Sequence, residues 1–178
     1  MNGIEILIKE HQNILKAVKN MRKDAIAVMN GEEVRIERFR EYLAFIRNYA
    51  DKHHHGKEEL ILFQYMVDEL GGAAEKLVKH GMLVEHDMGR LYAQNLENAL
   101  NQYEEQANDD SKVDIIANAI SYGDLLQRHI DKEDNVVYTF AQRQLKPEIM
   151  QKVNEQTIVF EEKEAQTREF YENWVANL

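Results

Sequence analysis

One stretch of this chain is written twice, 75 positions apart. His54-His55-Gly56-Lys57-Glu58-Glu59-Leu60-Ile61-Leu62-Phe63 and His129-Ile130-Asp131-Lys132-Glu133-Asp134-Asn135-Val136-Val137-Tyr138 both read His-x-x-Lys-Glu-acidic-x-aliphatic-aliphatic-aromatic. The same offset carries Glu10-His11 onto Glu85-His86, so each half holds one His, then 42 residues, then His-x-x-x-Glu. Residues four apart on a helix are neighbours on one face, so if both copies are helical each can offer one imidazole and one carboxylate to the same cavity.

The apolar pattern agrees. Asn2 followed by Glu5 is a capping pair, and Ile4, Leu7, Ile8, Ile14, Leu15, Val18, Ala25 and Met29 form a stripe that includes His11. Asn30-Gly31 ends that helix. A second helix, from about 34 to 69, carries Leu43, Ile46, Ala50, His54, Glu58, Ile61 and Tyr65 on its buried face and stops at Gly71-Gly72. A third, roughly 73 to 107, has the heptad series Met82, His86, Gly89, Ala93, Leu96, Leu100 and Tyr103. After the polar turn Asn108-Asp109-Asp110-Ser111, a fourth helix to about Gln144 turns Ile115, Ala119, Tyr122, Leu126, His129, Glu133, Val136 and Phe140 inward. Pro147 opens a fifth, which runs to the C-terminus through Ile149, Val153, Ile158, Phe160, Phe170 and Trp174 and has no counterpart in the repeat. The expected fold is all-α: an up-down-up-down four-helix bundle over residues 1–146, with an additional C-terminal helix, 147–178, packed on the bundle or at an oligomer interface.

Composition narrows the chemistry. The chain has no cysteine, so a metal would be held by nitrogen and oxygen alone. A formal charge of −10 argues against nucleic acid and against an anionic membrane surface, since both demand clustered Lys and Arg. The N-terminal segment mixes Glu5 and Lys9 into its apolar stretch, unlike a signal peptide, and the expected location is cytoplasmic.

Depth tests whether the repeated residues can meet. At ~1.5 Å per residue, His11, His86 and both His-x-x-x-Glu pairs fall within roughly one and a half turns of one level in an antiparallel bundle. Two carboxylates from opposite helices could then bridge a pair of cations while four imidazoles take terminal positions. Two glutamates buried without cations would be costly, so the pattern itself favours a filled site. One histidine in an apolar stripe is usually a core residue; four at matching depth, two of them with a Glu at i+4, reverse that reading.

His11, His54 with Glu58, His86, and His129 with Glu133 fit, position by position, the pattern of the hemerythrin-like (HHE cation-binding) family, which the chain resembles from residue 1 to about 145. The stretches His54 to Phe63 and Glu85 to Arg90 are similar to its bacterial branch in particular. The resemblance implies a non-haem di-iron centre, two iron ions joined by an oxo or hydroxo bridge, with zinc or manganese also compatible with the ligand types. It implies as ligands His11, His54, Glu58, His86, His129 and Glu133, and as partner a diatomic or peroxide ligand: dioxygen, peroxide or nitric oxide, bound or sensed. Alternatives in other classes are a di-iron enzyme of peroxidase, oxidase or nitric oxide reductase type, and a metal-stabilised helical module whose last helix serves a partner or a homodimer.

The oxygen-carrying members have two histidines four apart on helix three, whereas Met82 and Arg90 flank His86 here, and the last acid is Glu133 rather than aspartate. His80 is the leading candidate for a fifth histidine. His53 and His55, matched in the repeat by Arg128 and Ile130, read as residues behind the ligands or at the surface; Lys57 and Lys132 read as surface lysines, and Glu59 and Asp134 as solvated acids beside the ligands. Tyr122 is read first as core and second as a hydrogen-bond donor to a bound oxygen species.

Overall fold

The computed structural model describes residues 1–178 and contains six helices and no strand. They are α1 (Gly3–Met29), α2 (36–70), α3 (72–105), α4 (109–144), α5 (Pro147–Lys163) and α6 (Ala165–Ala176). None is long and apolar enough to cross a membrane.

Local chemistry sets the boundaries. Asn2 and Glu5 form the expected capping box on α1, each side chain accepting from the other's backbone N–H at 2.9 Å. Gly31, at φ 100°, turns the chain out of α1, and Gly71, at φ 53°, does so between α2 and α3; a side chain would be strained at either. Asn108 caps α4 by accepting from the Ser111 N–H, and Pro147 occupies the first turn of α5.

The four long helices pack as an all-α bundle with two apolar clusters along its axis. Met21, Tyr42, Tyr49, Leu96, Leu100, Ile115 and Leu126 belong to one; Ile4, Leu7, Leu62, Phe63, Met66, Met82 and Val137 belong to the other. On every helix the repeated histidines fall between the two. The bundle is therefore a polar layer held between dry walls, and those walls fix the depth at which the ligand types meet.

The C-terminal segment departs from the single helix expected. It breaks at Glu164 into α5 and α6, which lie across α1 and α2. Asn154 accepts from the Gly3 N–H at 2.8 Å, while Trp174 stacks on Phe45, ring centroids 5.3 Å apart, and meets Tyr42 edge-on at 5.7 Å. Of the apolar residues along this segment, Ile149 and Val153 are buried, while Ile158 on α5 and Phe170 on α6 are exposed.

Both copies of the repeat carry a widened, π-type turn at the same place. The Phe63 N–H reaches the Glu58 carbonyl and the Tyr138 N–H reaches the Glu133 carbonyl, five residues back in each case. A longer widened stretch spans Ile46–His55. Such turns gather side chains that a regular helix would spread apart, and they concentrate at functional sites.

Candidate metal centre

The structure brings all six sequence-predicted residues together and adds a seventh. One cluster comprises His11, His54, Glu58 and Glu133; the other His55, Glu58, His86 and His129; within each, the donor atoms lie within 4.8 Å of one another. All seven residues are buried, none more than 4% exposed. Glu58 belongs to both clusters. Glu133 reaches both as well, placing Oε2 3.3 Å from His11 Nε2 and Oε1 3.0 Å from His129 Nε2.

Each of the four repeated histidines is oriented by a carboxylate behind it. His54 Nδ1 meets Glu10 at 2.8 Å, and its counterpart His129 Nδ1 meets Glu85 at 2.9 Å. His11 Nδ1 meets Asp134 and His86 Nδ1 meets Glu59, both at 2.7 Å. With Nδ1–H donated outward, Nε2 carries the lone pair, and that atom faces the centre. Glu10 and Glu85, and likewise Glu59 and Asp134, are related by the same 75 residues as the ligands. The repeat therefore encodes the outer carboxylates along with the imidazoles, and Glu59 and Asp134 each hold one of the clustered histidines rather than standing merely solvated beside them.

Whether a metal suits this arrangement can be judged from the unpaired atoms. Glu58 Oε2, both Glu133 oxygens and His55 Nε2 are buried without a hydrogen-bond partner. Four acceptors left bare in a protein core are costly unless something electropositive meets them. The Nε2 atoms of His11 and His54 face each other at 2.9 Å, and those of His86 and His129 at 3.1 Å. That is close to the ~3 Å expected for two imidazole nitrogens bonded side by side to one ion at ~2.0–2.1 Å. An all-nitrogen-and-oxygen set of five imidazoles and two carboxylates fits a pair of transition-metal ions.

Electrostatics carry the same message. Burial and then the neighbouring Glu133 push the Glu58 carboxyl well above its ordinary range. Burial would raise Glu133 too, but His129, His11 and His86 around it hold it well below. Burial opposes a charge on His11, yet its hydrogen bond to Asp134 and the nearby Glu133 carboxylate prevail and raise it to about 9. His54, enclosed and facing His11, is lowered to about 4.

The fifth imidazole corrects the sequence reading twice. His55 is buried, stacks on His86 and bonds Asp51 through Nδ1 at 3.2 Å, which leaves its Nε2 directed into the second cluster. His80 is exposed and takes no part. His53 and Lys57, expected behind the ligands or at the surface, are fully enclosed by α5: His53 Nε2 lies 2.9 Å from Glu10 and 3.0 Å from Glu161, and the Lys57 ammonium pairs with both carboxylates. Glu10, His53 and Glu161 are spaced as metal ligands could be, but the Lys57 ammonium already stands among them, 2.8 Å from His53 Nε2. Burial favours protonating Glu10 and Glu161, but the bonds from His53 and the Lys57 charge outweigh it, with His54 adding to the effect on Glu10; Glu161 falls to about 2 and Glu10 lower still.

Two aromatic residues complete the walls. Tyr138 stacks parallel to His11, ring centroids 5.6 Å apart, and its repeat partner Phe63 lies against His86 at 6.0 Å. The Tyr138 hydroxyl donates to Glu58 Oε1 at 2.6 Å and stands 3.4 Å from His11 Nε2. Tyr122 belongs to the buried core, as first read, and lines, with His55, His86, Gly89, Asp51 and Arg90, a cavity of about 160 Å³ that opens beside the second cluster.

Residues 2–141 match the model of the family described as hemerythrin HHE cation binding domain, a span that ends just before α5 and contains every residue of both clusters. No curated protein matches the chain.

Proposed function

Because the chain belongs to the hemerythrin HHE cation-binding family, we propose that its two clusters hold a pair of iron ions and that it binds or senses a small oxidant such as dioxygen, peroxide or nitric oxide. The observation that carries this reading is the sharing of Glu58 and Glu133 between two histidine clusters, which suits two adjacent ions bridged by carboxylates rather than one ion in a closed cage. His11 and His54 would be the terminal ligands of the first ion, and His55, His86 and His129 those of the second. Bound there, such a pair would supply electrons to a small-molecule ligand.

The chain's own residues make room for that ligand unequally. The first position has two imidazoles and the second three, so the first keeps more room for an added ligand. There the Tyr138 hydroxyl is held at Glu58 Oε1, where it can turn a hydrogen bond toward a newcomer. Burial, then the charge of Glu58, keep this phenol protonated and therefore a donor. The cavity beside His55 and His86 offers a route for something small, with Arg90 at its mouth held by Asp51 and Glu59. Zinc or manganese would satisfy the same donors.

An enzymatic reading, of peroxidase, oxidase or nitric oxide reductase type, draws support from the same tyrosine, since a positioned proton donor assists reduction as well as binding. Metal analysis of protein purified with and without air, with an absorption spectrum of each, tests the proposal. Two irons per chain with bands of a bridged diferric pair support it; a redox-inert metal in both preparations contradicts it. Rapid consumption of added peroxide by the iron-loaded chain would favour the enzyme, and a stable, reversible dioxygen adduct would exclude it.

A further inference from the structure

The pseudo-symmetry of the repeat is broken on one side only. Behind His129, Glu85 pairs with Lys132, and that lysine is 44% exposed. Behind His54, the equivalent Glu10 pairs with Lys57, but here the lysine side chain is fully enclosed because Glu161 of α5 closes over it. Arg168, from the start of α6, donates in turn to Glu161 at 2.9 Å. Gly56 makes the approach feasible: a Cβ there would meet the Phe160 ring at 3.2 Å, and its counterpart in the second copy is Asp131.

We propose that the C-terminal pair α5–α6 is a lock on one of the two metal positions, acting from Glu161 through Lys57 and Glu10 to hold the imidazole of His54. Glu161 is a positioning residue in this scheme, three side chains removed from any ion. Its effect follows from burial. Glu10 offers one oxygen to His54 Nδ1 and the other to Lys57 and His53. Take Glu161 away, and an ammonium enclosed by protein loses half its counter-charge and must draw on Glu10 or move to water. Either response disturbs the oxygen that orients His54. No comparable change can reach His129, whose lysine is already solvated.

The inference rests on the two-ion reading above, but its test separates the two. In the metal-free full-length chain, nitrogen-labelled imidazole spectra report ring position and tautomer directly. Glu161→Ala should shift or broaden the His54 signals and leave those of His129 unchanged; Glu161→Gln, which preserves packing, should give a smaller change of the same kind. For chains loaded anaerobically with ferrous iron and challenged with a ferrous chelator, Glu161→Ala should release one iron about tenfold faster, the range seen when an outer partner of a ligand is lost. The other, identified as the ion that His55→Ala removes, should leave at the wild-type rate. Unchanged His54 signals, or equal acceleration of both irons, would overturn the lock. A wild-type chain that takes up a single iron would defeat the two-ion reading while leaving the spectral test of the lock intact.

Discussion

His55 and His86 stack with ring centroids 3.7 Å apart and only 8° from parallel, although the two residues come from different helices and neither has a histidine four positions away. This pairing puts a third imidazole into the cluster of Glu58, His86 and His129, and under the proposed two-ion reading His55 would be a ligand of the second ion. His55→Ala should therefore cost the second ion, lowering its affinity by about tenfold or more, at least the loss expected for an outer partner. His80→Ala should leave metal content unchanged. Metal titration of both variants checks the pair.

Glu58 serves both clusters, so its neutral isostere should affect both ions. In Glu58→Gln the metal-free and loaded chains are expected to move in opposite directions. The metal-free chain is relieved of a buried carboxyl whose folded pKa is raised, a group that costs stability as pH climbs above its ordinary value. Relief of about 1–3 kcal/mol corresponds to roughly 2–4 °C in Tm per kcal/mol for a chain of this size. The loaded chain loses a bridging donor. A higher Tm without metal, together with loss of both ions, is the expected result of calorimetry and metal analysis.

Protons compete with metal here, and the sign can be worked out. His11 titrates at about 9 in the metal-free fold, above its ordinary 6.5. Its contribution to metal-free stability is complete below about 6.5 and lost as pH rises through 9; His53 and His86, also raised, act in the same direction. Metal needs the unprotonated imidazole, so apparent affinity should climb from pH 7 to about 9, with protons released on loading at neutral pH. A pH-stat record of iron uptake and Tm values of the metal-free chain at pH 6.5 and 9.5 measure both trends.

Tyr138 and Phe63 occupy equivalent places in the repeat and differ by one hydroxyl. Tyr138→Phe should preserve the bundle and the stoichiometry of two ions, while weakening or accelerating loss of a small ligand at the first position, by about tenfold if one hydrogen bond of roughly 1.4 kcal/mol is removed. Binding of nitric oxide to the diferrous chain, followed by its absorption, is the measurement.

Much of this architecture is legible in the sequence, and the exceptions have physical causes. The stripe that selects His54 and Glu58 from the cluster of histidines works because most of α2 obeys the ordinary helical period. It passes over His55 because the backbone widens at Ile46–His55, so adjacent side chains no longer diverge by a regular step. Lys57 looks like a surface lysine because nothing in the periodicity of α2 announces that α5 will cover it. A signal did exist for its role: Glu10 and Lys57 recur as Glu85 and Lys132 at the same offset as the ligands. The orientation of α5 and α6 is set by contacts far apart in the chain, such as Gly3 with Asn154 and Phe45 with Trp174, which no local pattern reveals.

The central claim is that two clusters sharing Glu58 and Glu133 bind two ions. Anaerobic titration of the metal-free chain with ferrous iron, followed by equilibrium metal analysis, tests it most directly. The account predicts saturation at two irons per chain in the wild type and one in His55→Ala. Saturation of the wild type at one iron, or the same stoichiometry in both proteins, would contradict it.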